Sequence, residues 1–154
     1  MSVDLIKMWH ERARPEPLGV HLNIQTGCHF EEVMEMVAVM SGDDEYSSQL
    51  IDRLHTALTV VSLGLKHGTI KFHVKPENRK EFLDSLADQI VTAVGVGHCA
   101  KMNIVEAVRR VNSSNWSKYD TDGKPIFNEQ GKIMKGPNYK APDLEGLYCW
   151  PSPR

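Results

Sequence analysis

An all-α fold of four to five helices is predicted by three observations. Apolar residues recur at spacings of three and four through most of the chain up to about residue 118, most clearly in Leu50, Leu54, Leu58, Val61 and Leu65. Helix stop and start signals bracket those runs: Pro15 and Pro17, His67-Gly68, Pro76, and Asn103 with Glu106 three residues on. Extended, strand-like patterns are confined to the short piece "TIKFHVKP" and to short alternating runs beyond Tyr119.

The elements follow in order. A first helix runs from Ser2, as N-cap, to about Arg14, and the two prolines stop it. The loop "PEPLGVHLNIQTG" leads to a second helix over residues 28–40, ending near Ser41-Gly42. Residues 46–67 form the third, with Gly68 as its stop. After the extended piece "TIKFHVKP", a fourth helix begins at Pro76 or Glu77; its second half is apolar nearly all round, which predicts the most buried helix of the fold. The fifth, "NIVEAVRRVNSSNWSK", is capped by Asn103 in a capping-box arrangement. The chain is expected to be a single domain, with a helical core over about 2–118 and a small hairpin and extended tail over about 119–154.

Composition narrows the function. At 154 residues the chain is long enough to bury a core without staples, and its 41% hydrophobic and 25% charged content is that of a soluble globular protein. A net charge of −2 gives no basic surface for a nucleic-acid polymer. Cys28, Cys99 and Cys149 are odd in number and lack CxxC spacing, so they read as structural thiols in a reducing cytoplasm. No secretory h-region or membrane span is present, and a cytoplasmic protein is expected.

The chemistry lies in two acidic clusters. In "FEEVMEM", Glu32 and Glu35 project from one helix face among Phe30, Val33, Met34 and Val37, with Glu31 alongside. On the fourth helix Asp84 and Asp88 share a face, with Glu81 one turn earlier. One reading of each is a solvated acidic stripe. The other is a shared site for a hard divalent cation, built from carboxylates on facing helices. No His stands at ligand spacing to either pair, so oxygen-only coordination favours Mg²⁺ or Mn²⁺ over zinc.

The ordered set of ExxE, a second acidic pair, "VNSSNWSK", "DGKP" and "GKIMKGPNYKAPDL" resembles the all-α nucleoside triphosphate pyrophosphohydrolase superfamily, which includes MazG, the dimeric dUTPases and phosphoribosyl-ATP pyrophosphohydrolase. It is closest to phage-encoded MazG-like enzymes, among them the MazZ group that hydrolyses (d)GTP, which would place the chain in a host cytoplasm. The resemblance covers most of the chain beyond residue 20 and implies a MazG-like bundle. It also implies that Glu32, Glu35 and Asp88 bind Mg²⁺ or Mn²⁺, that Glu31 serves as general base or holds a second metal, and that water attacks the α-phosphorus of a (d)NTP to release pyrophosphate. Lys118 and Asn115 match phosphate contacts, Trp116 a residue closing over the base, and Asn23 with Gln25 the base-reading amides ahead of the acidic helix. The implied substrate leans to purines and (d)GTP, and the implied assembly is a homodimer or a homotetramer made of two dimers.

One departure from the family pattern falls in the second pair, commonly ExxD: three residues before Asp88 stands Ser85. Asp84 is the expected substitute ligand, with Glu81-x-x-Asp84 as the other register. A phosphoribosyl-ATP or other nucleotide pyrophosphohydrolase, a catalytically inactive nucleotide- or metal-binding regulator, and a structural helical oligomer remain as alternatives.

Overall fold

The computed structural model describes residues 2–148; Cys149 lies outside them, as does the Ser2 side chain expected to cap the first helix. Five α-helices follow one another: α1 (Ser2–Ala13), α2 (Gly19–Ala38), α3 (Glu45–His67), α4 (Arg79–Cys99) and α5 (Ile104–Trp116), with one 3₁₀ turn at Pro76–Asn78. No strand occurs among the described residues, so the fold is all-α. By its internal contacts the chain divides into two compact units. One is Glu16–His73 with Phe127–Lys132; the other takes the described residues 2–15, Val74–Ile126 and 133–148.

The unit built on α2 and α3 is an antiparallel helix pair. Ile24, Val37, Ser62 and Leu65 are buried along it. Asp44 caps α3 by accepting the Ser47 N–H at 2.6 Å, and Gly68 ends it in the left-handed region at φ 76°. The start of α2 departs from the sequence reading: the helix begins at Gly19, nine residues before the expected start at 28. Thr26 and Gly27, the end of the expected loop, lie inside the helix. A Cβ at Gly27 would stand 2.9 Å from the Ser62 carbonyl oxygen and 2.8 Å from Lys66 Cγ, so glycine serves here to let two helices approach, not to end one. The entry is organised by His21, whose Nδ1 accepts the Leu18 N–H at 2.9 Å.

In the other unit, α1 and α5 pack through an aromatic cluster. Trp9 and Tyr119 are buried and stacked at 6.0 Å between centroids; Trp116 meets the Tyr119 ring edge-on at 5.6 Å. The polar atoms of the cluster are satisfied: Tyr119 Oη donates to the Trp9 carbonyl (2.6 Å) and Trp9 Nε1 to the Asn115 carbonyl (2.9 Å). Asn103 caps α5 as expected, accepting the Glu106 N–H at 3.2 Å, but the box is not reciprocal. Asn103 N–H donates to Leu147, while the Glu106 carboxylate accepts from Arg109 and Arg110 and is thereby held down at about 2.

The region after α5 is tied to that helix, as expected for an extended tail. Ser114 Oγ donates to the Lys140 carbonyl (2.7 Å), Ser117 Oγ accepts the Lys140 N–H (2.8 Å), and Arg110 Nη1 donates to the Asp143 carbonyl (2.9 Å). The expected small hairpin is reduced to a short pairing, with Asn128 N–H donating to the Lys132 carbonyl (3.0 Å) and Met134 N–H to the Ile126 carbonyl (2.7 Å), and the region holds two turns of one design, "DTDGK" and "NEQGK". In each, the first side chain accepts the N–H of the closing lysine, Asp120 from Lys124 at 2.7 Å and Asn128 from Lys132 at 2.8 Å, and the fourth residue is a glycine with positive φ.

Helix α4 corrects the expectation of a most-buried helix. Only Gly97 is buried along its 21 residues. Leu83 is 68% exposed, and Leu86, Ile90, Val91 and Val94 are exposed with it. Apolar composition all round a helix states that its faces need cover; the single chain leaves those of α4 uncovered.

Candidate catalytic site

The three glutamates of "FEEVMEM" sit in the second half of α2 and fall into two environments. Glu32 and Glu35 are exposed, and among the described residues neither carboxylate has an ion pair or hydrogen bond. Glu31 turns toward α3. Its Oε1 accepts from Lys66 Nζ at 2.6 Å and its Oε2 from Lys132 Nζ at 2.8 Å, so both oxygens are engaged. The side chains are 21% exposed for Glu31, 12% for Lys66 and 44% for Lys132.

Electrostatics follow from that geometry. Burial pushes the Glu31 carboxyl up, but the hydrogen bonds from Lys132 and Lys66 outweigh it and hold the group below the ordinary carboxylate range. The Lys132 ammonium is pushed up by its hydrogen bond to Glu31, with Glu32 adding to the effect at longer range. The Cys28 thiol, one turn before Glu31, is raised chiefly by burial, which keeps it a thiol and fits the structural reading. Neither lysine is singled out by the sequence. They lie 35 and 101 positions from Glu31, and the available hints are small: a lysine beside the last buried leucine of α3, and a second turn that repeats the first.

The expected base-reading pair does not converge. Asn23 and Gln25 belong to α2 itself, and residues two apart on a helix point to nearly opposite sides. Asn23 is buried, and its amide is committed: Nδ2 donates to the carbonyls of Gly19 (3.0 Å) and Phe72 (3.2 Å), and Oδ1 accepts the Phe72 N–H (2.8 Å). It ties the extended segment after α3 to the start of α2. Gln25 is exposed.

In the other unit, Asp84 and Asp88 lie at i and i+4 on α4, exposed and, among the described residues, without an ion pair or side-chain hydrogen bond. Glu81 is exposed one turn earlier. At the end of α5, Asn115 lends its carbonyl to Trp9, Trp116 packs on the aromatic cluster, and the Lys118 ammonium lies 5.8 Å from the centroid of the Trp9 ring. Gly136 approaches so closely that a Cβ there would be 2.5 Å from the Lys118 carbonyl, which locks "KGP" against the end of α5. A cavity of about 400 Å³ opens beside this helix, lined by Arg109, Arg110, Ser113, Ser117 and Lys140 among others; none of Asn115, Trp116 and Lys118 lines it.

Within neither unit do three or more His, Cys, Asp or Glu side chains gather in metal-binding geometry, among the described residues. The donor chemistry of the two pairs nevertheless suits a hard cation: carboxylate oxygens two to a face, not neutralised by lysine or arginine. No described helix is long and apolar enough to cross a membrane. No family model matches the chain, and no curated protein or solved structure is found to be similar to it.

Proposed function

We propose that the chain is a MazG-like, Mg²⁺- or Mn²⁺-dependent nucleoside triphosphate pyrophosphohydrolase that converts a (d)NTP, with (d)GTP the leading candidate, to the (d)NMP and pyrophosphate. The observation that carries this reading is the division of labour on α2. Glu31 is neutralised by two ammoniums, whereas Glu32 and Glu35, at i and i+3 on the same helix, are left exposed and unpaired. Like charges one turn apart destabilise a helix by a few tenths of a kcal/mol, and a lysine nearby would relieve that; a divalent cation relieves it more fully. Asp84 and Asp88 repeat the arrangement on α4 as a second open carboxylate pair of the same donor chemistry.

A bound Mg²⁺ or Mn²⁺ would supply neutralisation of the phosphates and a more acidic water. The chain's own residues do the rest. Lys118, at the end of α5, presents a point charge to the leaving pyrophosphate, and the Asn115 side-chain amide orients a phosphate oxygen. With the Asn23 amide committed to backbone, Gln25 is the α2 amide left to meet a base edge. The leaning to guanine comes from the resemblance to phage MazG-like enzymes. The exposed apolar face of α4 supports a homodimer or a pair of dimers, since a face of that size in water favours association.

The test is pyrophosphate release from a panel of dNTPs and NTPs with Mg²⁺ or Mn²⁺. Release from at least one nucleotide, abolished by chelator, is expected. Binding of a nucleotide without release would favour the inactive regulator instead.

A further inference from the structure

Glu31 does not fit the part that the family resemblance gives it. A general base or a ligand to a second cation uses the carboxylate's lone pairs, and since each Glu31 oxygen already accepts from an ammonium, either part would have to compete with two cations. Both lysines are placed by the fold and do not simply drift onto an exposed acid. The Lys66 stem lies against Gly27, where any Cβ would come within 2.8 Å of its Cγ, and its side chain is 12% exposed. Lys132 closes a turn whose own Asn128 side chain holds its N–H at 2.8 Å. The result is two cations on one anion, beside the helix edge where Glu32 and Glu35 stand open. A second divalent cation brought to Glu31 would face two ammoniums, each at hydrogen-bond distance from one of its oxygens, and like charges so close repel.

We propose that Lys66 and Lys132 are the polyphosphate-receiving residues of this site, with Glu31 the positioning residue that holds their ammoniums ready. The ligand class is a linear polyphosphate, as in the tail of a nucleoside triphosphate. Its oxygens carry enough charge to meet both ammoniums while still presenting oxygen to a cation held by the neighbouring acids. Lys132, more exposed and on a turn, is the member that follows the ligand; Lys66, on the helix, is the fixed one. The ammoniums then stand where a second metal would otherwise neutralise charge. This rests on the pyrophosphohydrolase reading for the identity of the ligand, not for the existence of the cation pair.

Inorganic tripolyphosphate is the probe, titrated calorimetrically into the full chain in Mg²⁺. Wild type should bind it, and Lys132→Ala should weaken binding about tenfold or more, the loss of one charge-assisted contact. Lys132→Arg should keep most of the affinity. Lys66→Met gives the second arm, read only with an unchanged helical spectrum; unchanged affinity in either folded variant overturns the proposal. Glu31→Gln discriminates by metal dependence. A positioning residue predicts weaker tripolyphosphate binding both with and without Mg²⁺, because the ammoniums are no longer held together; a loss confined to Mg²⁺-containing buffer would make Glu31 a metal ligand and overturn the assignment. Tripolyphosphate binding lost in Lys132→Ala, with no pyrophosphate released from any nucleotide by wild type, would leave the cation pair standing and remove the hydrolase reading. Pyrophosphate release with tripolyphosphate affinity indifferent to Lys132 would do the reverse.

Discussion

Helices α2 and α4 are nearly the same length, 20 and 21 residues, and each carries an acid pair amid valine, leucine or isoleucine. Their fates differ. Along α2 a partner helix lies close enough to need Gly27, and four residues are buried; along α4 only Gly97 is buried and the apolar side chains face outward. The difference shows what apolar content means in a helix. It sets how much surface must be covered and is silent about which chain covers it. Acid on the covered helix is sorted into a neutralised member, Glu31, and an open pair, whereas acid on the uncovered helix is all open.

The sharpest way to break the comparison is through the open acids. Glu35→Gln should reduce pyrophosphate release by about a hundredfold or more while circular dichroism stays unchanged, since the isostere keeps shape and loses a metal-holding charge. On α4, Asp88→Asn and Asp84→Asn should both be severe and Glu81→Gln mild; Glu81 essential with Asp88 dispensable would move the pair to Glu81-x-x-Asp84. Activity near wild type in Glu35→Gln would end the parallel between the helices, leaving α2 with a solvated stripe.

The apolar faces give the next largest effect. Ile90→Asp on α4 should shift the protein to monomer in light scattering with little change in helicity, because the side chain is exposed in the single chain. A monodisperse, active wild-type species near 17.4 kDa would show that α4 needs no second copy. On α2 the opposite outcome is expected. Val37→Ala, at a position 2% exposed, should lower stability by about 1–3 kcal/mol without altering assembly. Gly27→Ala should do likewise, since the Ser62 carbonyl is backbone and cannot swing away; a melting temperature unchanged in Gly27→Ala would mean that the α2–α3 approach is looser than it stands here.

The smallest effect concerns pH. The Glu106 carboxyl falls from 4.5 to about 2 through its hydrogen bonds to Arg109 and Arg110. A depressed carboxylate contributes stability above its unfolded value, and the contribution is lost as pH falls through the folded one. Melting temperature in wild type should therefore drop between pH 4.5 and 2 slightly more than in Glu106→Gln, and salt should shrink the gap because the partner Arg109 lies 65% exposed at the surface. Parallel curves at low salt would assign no stability to these pairs.

Helices α3 and α5 were legible because each is announced by local chemistry: a leucine stripe closed by Gly68, and an asparagine cap at Asn103. The start of α2 was hidden because Gly27 has two meanings, chain break and close approach, and only the presence of Ser62 and Lys66 across the interface decides between them. The exposure of α4 is not legible, because apolar content says how much surface needs cover and not which chain covers it. Of the candidate site, the acid pairs are visible as spacing in a one-dimensional string, and so are their free carboxylates once the helices form. Lys66 and Lys132 are not, since a pairing across 35 or 101 positions leaves no periodic trace. Asn23 illustrates the opposite error: a polar residue singled out for recognition whose amide the fold consumes in holding Phe72.

The Glu31–Lys132 pair has a consequence for how the chain comes off the ribosome. Its partners are separated by 101 positions, and at about 5–20 residues per second Glu31 emerges roughly 5–20 s before Lys132 exists to meet it. The α2–α3 hairpin has ample time to zip in that interval, and Lys66, 35 positions away, reaches Glu31 with it. A nascent chain stalled after α3 would thus carry a compact helix pair with half of its cation pair in place. The turn that brings Lys132 docks only after α4 and α5 have been made, as the last stitch in a unit whose first helix was among the earliest segments synthesised.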